Sequence, residues 1–361
     1  MLTVYGLKVS YFTGKLEAYL RYKELLYDFH PLTGKEFSEL LPAKTGALQM
    51  PAVQLDDGRW MTDTTPMIDW FESQYPEPAI LPDDPVQAFV CYLIEDYSDE
   101  WQWRPAMHYR WSYEESSKLL ARQIAGSMGR ELSVPNWLIR RRVENRQRRN
   151  FVERDGVSQQ TRSHVEQSYI RLLEFLRQVL KHRLFVFGDR PTLADVGLMG
   201  PLFRHYAMDP KPSIIMREDY SEVMAWVYRV WNARGSQTNG KLISGVPVEI
   251  AQFLREIAET HLEALCANAM AYAAGEKLHE QTIQGVWYRD VPVSQYRVWC
   301  LQRLQERRLK LPAKARETLD DLLDQNGALE PLIRLSNINS GYEVGEIDPF
   351  GRSIPVFESI S

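Results

Sequence analysis

The order of short elements in the first 75 residues constrains this chain most. Leu2 to Tyr5 alternates and is β-prone, and Gly6 to Phe12 reads as a loop. From about Thr13, apolar residues recur at Leu16, Tyr19, Leu20 and Tyr22 to Leu26 with helical spacing. Tyr27 to Leu32 reads as a second strand. A strand, helix, strand start implies a parallel pair joined by a right-handed crossover. Gln49 to Leu55 and Trp60-Met61 then flank Asp57-Gly58, a hairpin signal. Thr64 to Tyr75 is a helix with Met67, Ile68 and Phe71 on one face. A chain with this order buries a mixed four-stranded sheet beneath helices on both faces.

That order, with three motifs, resembles the thioredoxin-like domain of glutathione transferases. Tyr5 to Lys15 (YGLKVSYFTGK) places Ser10 where serine-type and cysteine-type members hold the residue that contacts the glutathione sulfur. Met50-Pro51 matches the family's cis-proline, where the preceding backbone pairs with the cysteinyl part of glutathione. Asp63-Thr64 stands where the family has Glu-Ser or Gln-Ser to hold the γ-glutamyl end. The resemblance therefore implies that Ser10, Tyr11, Met50, Pro51, Asp63 and Thr64 bind glutathione, with Ser10 catalytic. At the thiol, Tyr11 and Thr13 are alternatives to Ser10. Local readings stand beside the functional ones: Ser10 as cap of the helix that follows, and Asp63 as cap of the third.

Simple chemistry agrees with such a site. Glutathione carries two carboxylates, an ammonium and a thiol. Asp63 is an anion available to the ammonium. The start of the helix at Thr64 offers free N–H groups and a positive dipole end to a carboxylate. A thiol of pKa about 8.5 is only a few per cent ionised at neutral pH. A hydroxyl donated to the thiolate contributes about 1.5–3 kcal/mol, enough to lower that pKa by about one to two units. Residues 1–90 contain no cysteine. A mixed disulfide with glutathione is therefore excluded in this loop, which disfavours thiol-transfer and cysteine-dependent dehalogenase chemistry.

After a proline-rich linker from Pro76 to Pro85, Phe89, Leu93, Tyr97, Trp101, Arg104, His108 and Trp111 form one face of a long helix. The expected bend is at Pro105. By the resemblance, its far half lines the second-substrate pocket, so Tyr97, Trp101, Arg104 and His108 are candidate substrate contacts; the alternative is ordinary core. Thr192 followed by Asp195 is a capping-box pattern at the start of a buried helix. It matches the family's second signature and assigns Asp195 to folding. Residues 137–154 (WLIRRRVENRQRRNFVER) hold seven arginines. They read as an anion-binding or nucleic-acid surface or as a solvated helix, and the lack of aromatic interleaving makes the solvated helix the expectation.

The expected fold class is an α/β thioredoxin-like N-terminal domain plus an all-α C-terminal glutathione-transferase-type domain with extra helices. Boundaries fall at 1–78 and 85–235, with a mainly helical extension over 236–361. In that extension, 247–275, 294–309 and 312–326 read as helices, with Arg303, Arg307 and Arg308 outward. Residues 282–293 read as a strand or an irregular loop, and residues 336–361 as surface-draped or disordered. His261 and His279 read as surface residues, and no metal site is expected. The missing linker at 235–247 favours an extension wrapped around the bundle.

The rest bounds function. With 44% apolar and 25% charged residues and a net charge of −5, the chain is globular and not a dedicated nucleic-acid binder. No run of about 18 apolar residues predicts a membrane span, and MLTVYGLKVSYFTGK reads as a strand, not a signal peptide. Three dispersed cysteines fit a reducing cytoplasm. The expectation is a cytoplasmic homodimer, with neither nucleic acid nor membrane as partner. It would use glutathione as co-substrate and conjugate its thiolate to a small hydrophobic electrophile. Alternatives are a non-catalytic binding or scaffold protein on the same fold, or a glutathione-dependent lyase, isomerase or peroxidase.

Overall fold

The structure, a computed structural model, describes residues 1–130, 133–238, 240–342 and 349–350. The N-terminal unit contains β1 (Leu2–Gly6), α1 (Tyr11–Tyr22), β2 (Tyr27–Pro31), α2 (Leu41–Thr45), β3 (Ala52–Gln54), β4 (Trp60–Thr62) and α3 (Thr64–Gln74). The sheet order is β2-β1-β3-β4, with β1 and β2 parallel and the other pairs antiparallel. Asp57 caps the turn by accepting from the Arg59 N–H at 2.9 Å, and Gly58 takes φ 87° there, a conformation glycine adopts without penalty. Helix α1 begins at Tyr11, two residues before the periodicity suggests, because Ser10 caps it.

The bundle follows as α4 (Pro85–Asp96), α5 (Trp103–Trp111), α6 (Glu114–Met128), α7 (Asn136–Arg148), α8 (Arg162–Leu180), α9 (Leu193–Pro201), α10 (Pro210–Asp219) and α11 (Ser221–Asn232). The break between α4 and α5 is not at Pro105. It is a wide turn over Tyr97–Trp101, closed by the Gln102 N–H to the Tyr97 carbonyl at 3.1 Å. Pro105 falls in the first turn of α5, where a missing N–H costs nothing. At the start of α9, Asp195 accepts from the Thr192 N–H at 2.9 Å in a capping box. It also accepts from the Val186 N–H at 2.9 Å and the Trp226 indole at 3.2 Å. Burial pushes its carboxyl up to about 6 despite those donors.

The extension holds α12 (Val248–Ile257), α13 (Glu263–Ala273), β5 (Leu278–Ile283), β6 (Val286–Pro292), α14 (Gln295–Leu309), α15 (Ala313–Gln325) and α16 (Leu329–Ile333). Residues 282–293 belong to a hairpin: Gln284 and Gly285 take φ 48° and 79°, as a two-residue turn between twisted strands requires. The extension wraps the bundle, with α12 on α8 and both α14 and α15 on α4. One apolar core runs from Val4 through Phe89 and Leu198 to Leu301 and Leu323, with no division at residue 235. At the far edge of the sheet, Phe350 bridges Met61, and the Thr62 N–H meets the Pro349 carbonyl at 3.3 Å.

Candidate functional site

The site lies where β1, β3 and β4 end together. Tyr5 pairs with Ala52 and Ala52 with Thr62, so Pro51 and Asp63 follow side by side beyond the ladder. The Met50–Pro51 peptide is cis, and the Thr62 hydroxyl donates to the Pro51 carbonyl at 2.9 Å. The loop after β1 delivers Ser10, half-buried, to the start of α1. Its Oγ accepts from the Thr13 N–H at 3.4 Å, and the Ser10 N–H donates to the Leu7 carbonyl at 2.9 Å. A capping hydroxyl uses a lone pair, so the Ser10 O–H remains available to donate.

The two neighbouring hydroxyls turn away. Tyr11 is buried in the core and donates to the Ser98 carbonyl. Gly200 lets it in, since a Cβ there would stand 2.5 Å from the ring. Thr13 is fully buried beneath Gly6. Of the three hydroxyls considered for the thiol, only that of Ser10 is partly open.

Asp63 caps α3 with φ 72°, accepting from the Thr65 N–H at 3.4 Å. Thr64 is buried. Burial raises the Asp63 carboxyl above the usual range, opposed by Arg303, Tyr296 and Lys15. The Tyr296 hydroxyl, from α14, donates to Asp63 at 3.1 Å. Lys15, wholly buried, is ion-paired with Glu95 and Asp99 of the bundle. Burial alone would lower its pKa, but those two carboxylates outweigh it and hold the ammonium charged. Thr65, Glu95, Asp99, Tyr296, Trp299 and Arg303 line a narrow cleft beside Asp63.

Sequence reasoning missed the part played by α14. Arg303 and Arg307 do not point outward; both pair with Asp69 on α3. Tyr296, Trp299, Arg303 and Arg307 recur at steps of three and four, placing them on one face. A face mixing rings and arginines is the signal that was available. Arg308 pairs with Asp320 of α15.

The four candidate substrate contacts do not line an open pocket. Tyr97 is buried against Phe253 and accepts from Gln102 at 2.6 Å. Trp101 donates to Ser168 at 2.9 Å, and His108 pairs with Glu166 at 2.9 Å. Arg104 holds the Asp155 carbonyl at 2.7 Å and stacks on Trp101. Trp101 and Arg104 do wall a second small cleft, closed by His279 and Gln281 of β5. His261 and His279 are both buried, contrary to the surface reading, because the hairpin and α12–α13 pack onto the bundle. His261 is 2.6 Å from Asp96. Among the described residues no group of side chains is arranged to hold a metal ion, and no helix is long and apolar enough to cross a membrane.

A four-stranded mixed sheet with a cis-proline at its edge of function, followed by a capped helical bundle, defines a two-domain thioredoxin-like and all-helical protein. A model of the glutathione S-transferase N-terminal domain matches residues 4–79, and one of the C-terminal domain matches residues 149–233. Over those two segments the chain matches the two domains of the glutathione S-transferase family. Among solved structures it is similar to a glutathione S-transferase from Rhodospirillum rubrum F11, with 20% identity, TM-score 0.43, and coverage of 69% of this chain and 98% of that one. It is similar to a β-etherase from Sphingobium sp. strain SYK-6, with 16% identity, TM-score 0.43, and coverage of 63% and 94%. A third is a glutathione S-transferase from Methylobacterium radiotolerans in complex with glutathione sulfonate, with 17% identity, TM-score 0.41, and coverage of 68% and 99%. No curated protein matches the chain in sequence.

Proposed function

We propose that the chain binds glutathione at the end of the sheet and transfers its thiolate to a small hydrophobic electrophile. The observation that carries this reading is the register that sets Pro51 beside Asp63, with the Ser10 hydroxyl at the head of α1. The Met50 backbone would pair with the cysteinyl unit. Asp63 would take the ammonium, and the N–H groups opening α3 at Thr64 a carboxylate. Ser10 would donate to the sulfur and favour its ionised form. The thiolate then attacks the electrophilic carbon, forming a carbon–sulfur bond as the leaving group departs with the electron pair. A lyase, isomerase or peroxidase would share this site and differ in the second substrate. The cysteines Cys91, Cys266 and Cys300 are free and buried, in keeping with a reducing cytoplasm. A homodimer is part of the proposal on family likeness.

A second reading has its own support. Tyr296 already donates to Asp63, and Tyr97, Trp101, Arg104 and His108 are covered. Those contacts suit a transferase fold retained for binding without turnover. Calorimetric titration of glutathione into the wild-type chain and Asp63→Ala tests the site. Saturable binding weakened severalfold or more in the variant is expected. No binding in either protein would leave only the scaffold reading.

A further inference from the structure

Helix α7 has no buried residue, though it packs on α6. At 100° per residue, Trp137, Leu138, Arg141 and Arg142 fall on its outer side, with Arg149 just past its last turn, and all five are exposed; Arg148, also exposed, donates back to the Trp111 carbonyl at 3.2 Å. Ile139 and Val143 are half-buried on the inner side, and the helix's only acid, Glu144, is half-buried at the flank between the two sides. Among the described residues no carboxylate lies within ion-pair distance of Arg141, Arg142 or Arg149. Some arginines elsewhere are paired, such as Arg162 with Glu166 and Arg334 with Glu263, while others that stand singly on the surface are not. What sets this helix apart is the clustering: Arg141, Arg142 and Arg149 stand within nine residues in a chain of net charge −5. Its first turn adds apolar surface. Trp137 is 61% exposed, and Val134 and Leu138 stand beside it, 47% and 40% exposed.

We propose that α7 docks on the surface of an anionic lipid bilayer, lying in the plane of the headgroups. Guanidinium groups bind phosphate in two-pronged fashion. A tryptophan with aliphatic neighbours suits the boundary between headgroups and acyl chains. A nucleic acid would match the charge but not this grouping, because its bases need aromatic side chains interleaved with the arginines. Here the single exposed ring sits at one end beside Val134 and Leu138, a wedge that gains by leaving water. The surface is separate from the glutathione site and does not depend on that reading.

The test is co-sedimentation of the full-length chain with vesicles of phosphatidylcholine alone or mixed with phosphatidylserine. Binding only to the mixed vesicles, weakened by salt, is expected. Each arginine near such a surface is worth about fivefold in partition, so Arg141→Ala with Arg142→Ala should lower binding about twenty-five-fold. Trp137→Ala should also lower it, and the loss should persist at every salt concentration. These positions are exposed, and an unchanged circular dichroism melt would show that the variants fold. Three results would overturn the proposal: no binding to mixed vesicles, binding unaffected by the double substitution, or tighter binding to single-stranded DNA that ignores Trp137→Ala.

Discussion

On the proposed reading the Ser10 hydroxyl would serve two partners without conflict, because capping uses a lone pair and leaves the proton free. Ser10→Ala should therefore raise the pKa of bound glutathione by about one to two units, with little change in affinity. A pH titration of thiolate absorbance reads this directly, and no shift would move the role to backbone donors. Asp63 is different, because its carboxylate is already engaged by Tyr296. A carboxylate has about four acceptor positions, so ammonium and phenol either share it or compete. If they compete, as the tight packing of α14 suggests, Tyr296→Phe should tighten glutathione binding severalfold. Weaker binding in the phenylalanine variant would instead make Tyr296 a contributor to the site.

At the scale of elements, the β5–β6 hairpin is held by groups that titrate. His279 faces inward with its ring nitrogens unpaired, and burial, with the charges of Arg297 and Arg104, pulls its pKa down to about 4. A detached hairpin would return it to about 6.5. Between those values the detached state binds the extra proton, so hairpin docking is fully stable above about pH 6.5 and weakens as pH falls towards 4. The loss is at most roughly 3 kcal/mol across the window, and less to the extent that solvent screens the ring. Hydrogen exchange over residues 278–292 should accelerate through that range and become flatter in His279→Gln.

Which elements exist was mostly legible in the sequence, because Asp57-Gly58, Met50-Pro51 and Thr192 with Asp195 act through neighbours within a few residues. That Ser10, Pro51 and Asp63 meet at one end of the sheet was legible for the same reason. What could not be read was which surface each later helix covers. Periodicity marks the apolar face of α14 but says nothing of Asp69 or Asp63, more than two hundred residues earlier. The bend before α5 was misplaced for a related reason: a wide turn has no residue signature, whereas proline does.

For the whole molecule, the continuity of the core is the governing fact. Leu301 is fully buried in α14, within the same apolar cluster as Val4 and Leu198. Leu301→Ala should destabilise by about 2–5 kcal/mol. If the extension is part of one cooperative unit, the entire protein should still unfold in a single transition, shifted to lower denaturant. Two transitions, with only the first moved, would show that residues beyond 235 melt separately.

The short contact of Pro349 and Phe350 with β4 has a bearing on how copies of this chain can meet. An outermost strand displays bare amide groups, and any extended peptide of suitable length can add itself there. Here the Thr62 amide is taken and Met61 is bridged by the chain's own far end. The β4 edge is thereby closed to a neighbour's strand, which leaves β2 as the edge of this sheet without such a cover among the described residues, and a crowded solution of this protein has one fewer route to a fibre.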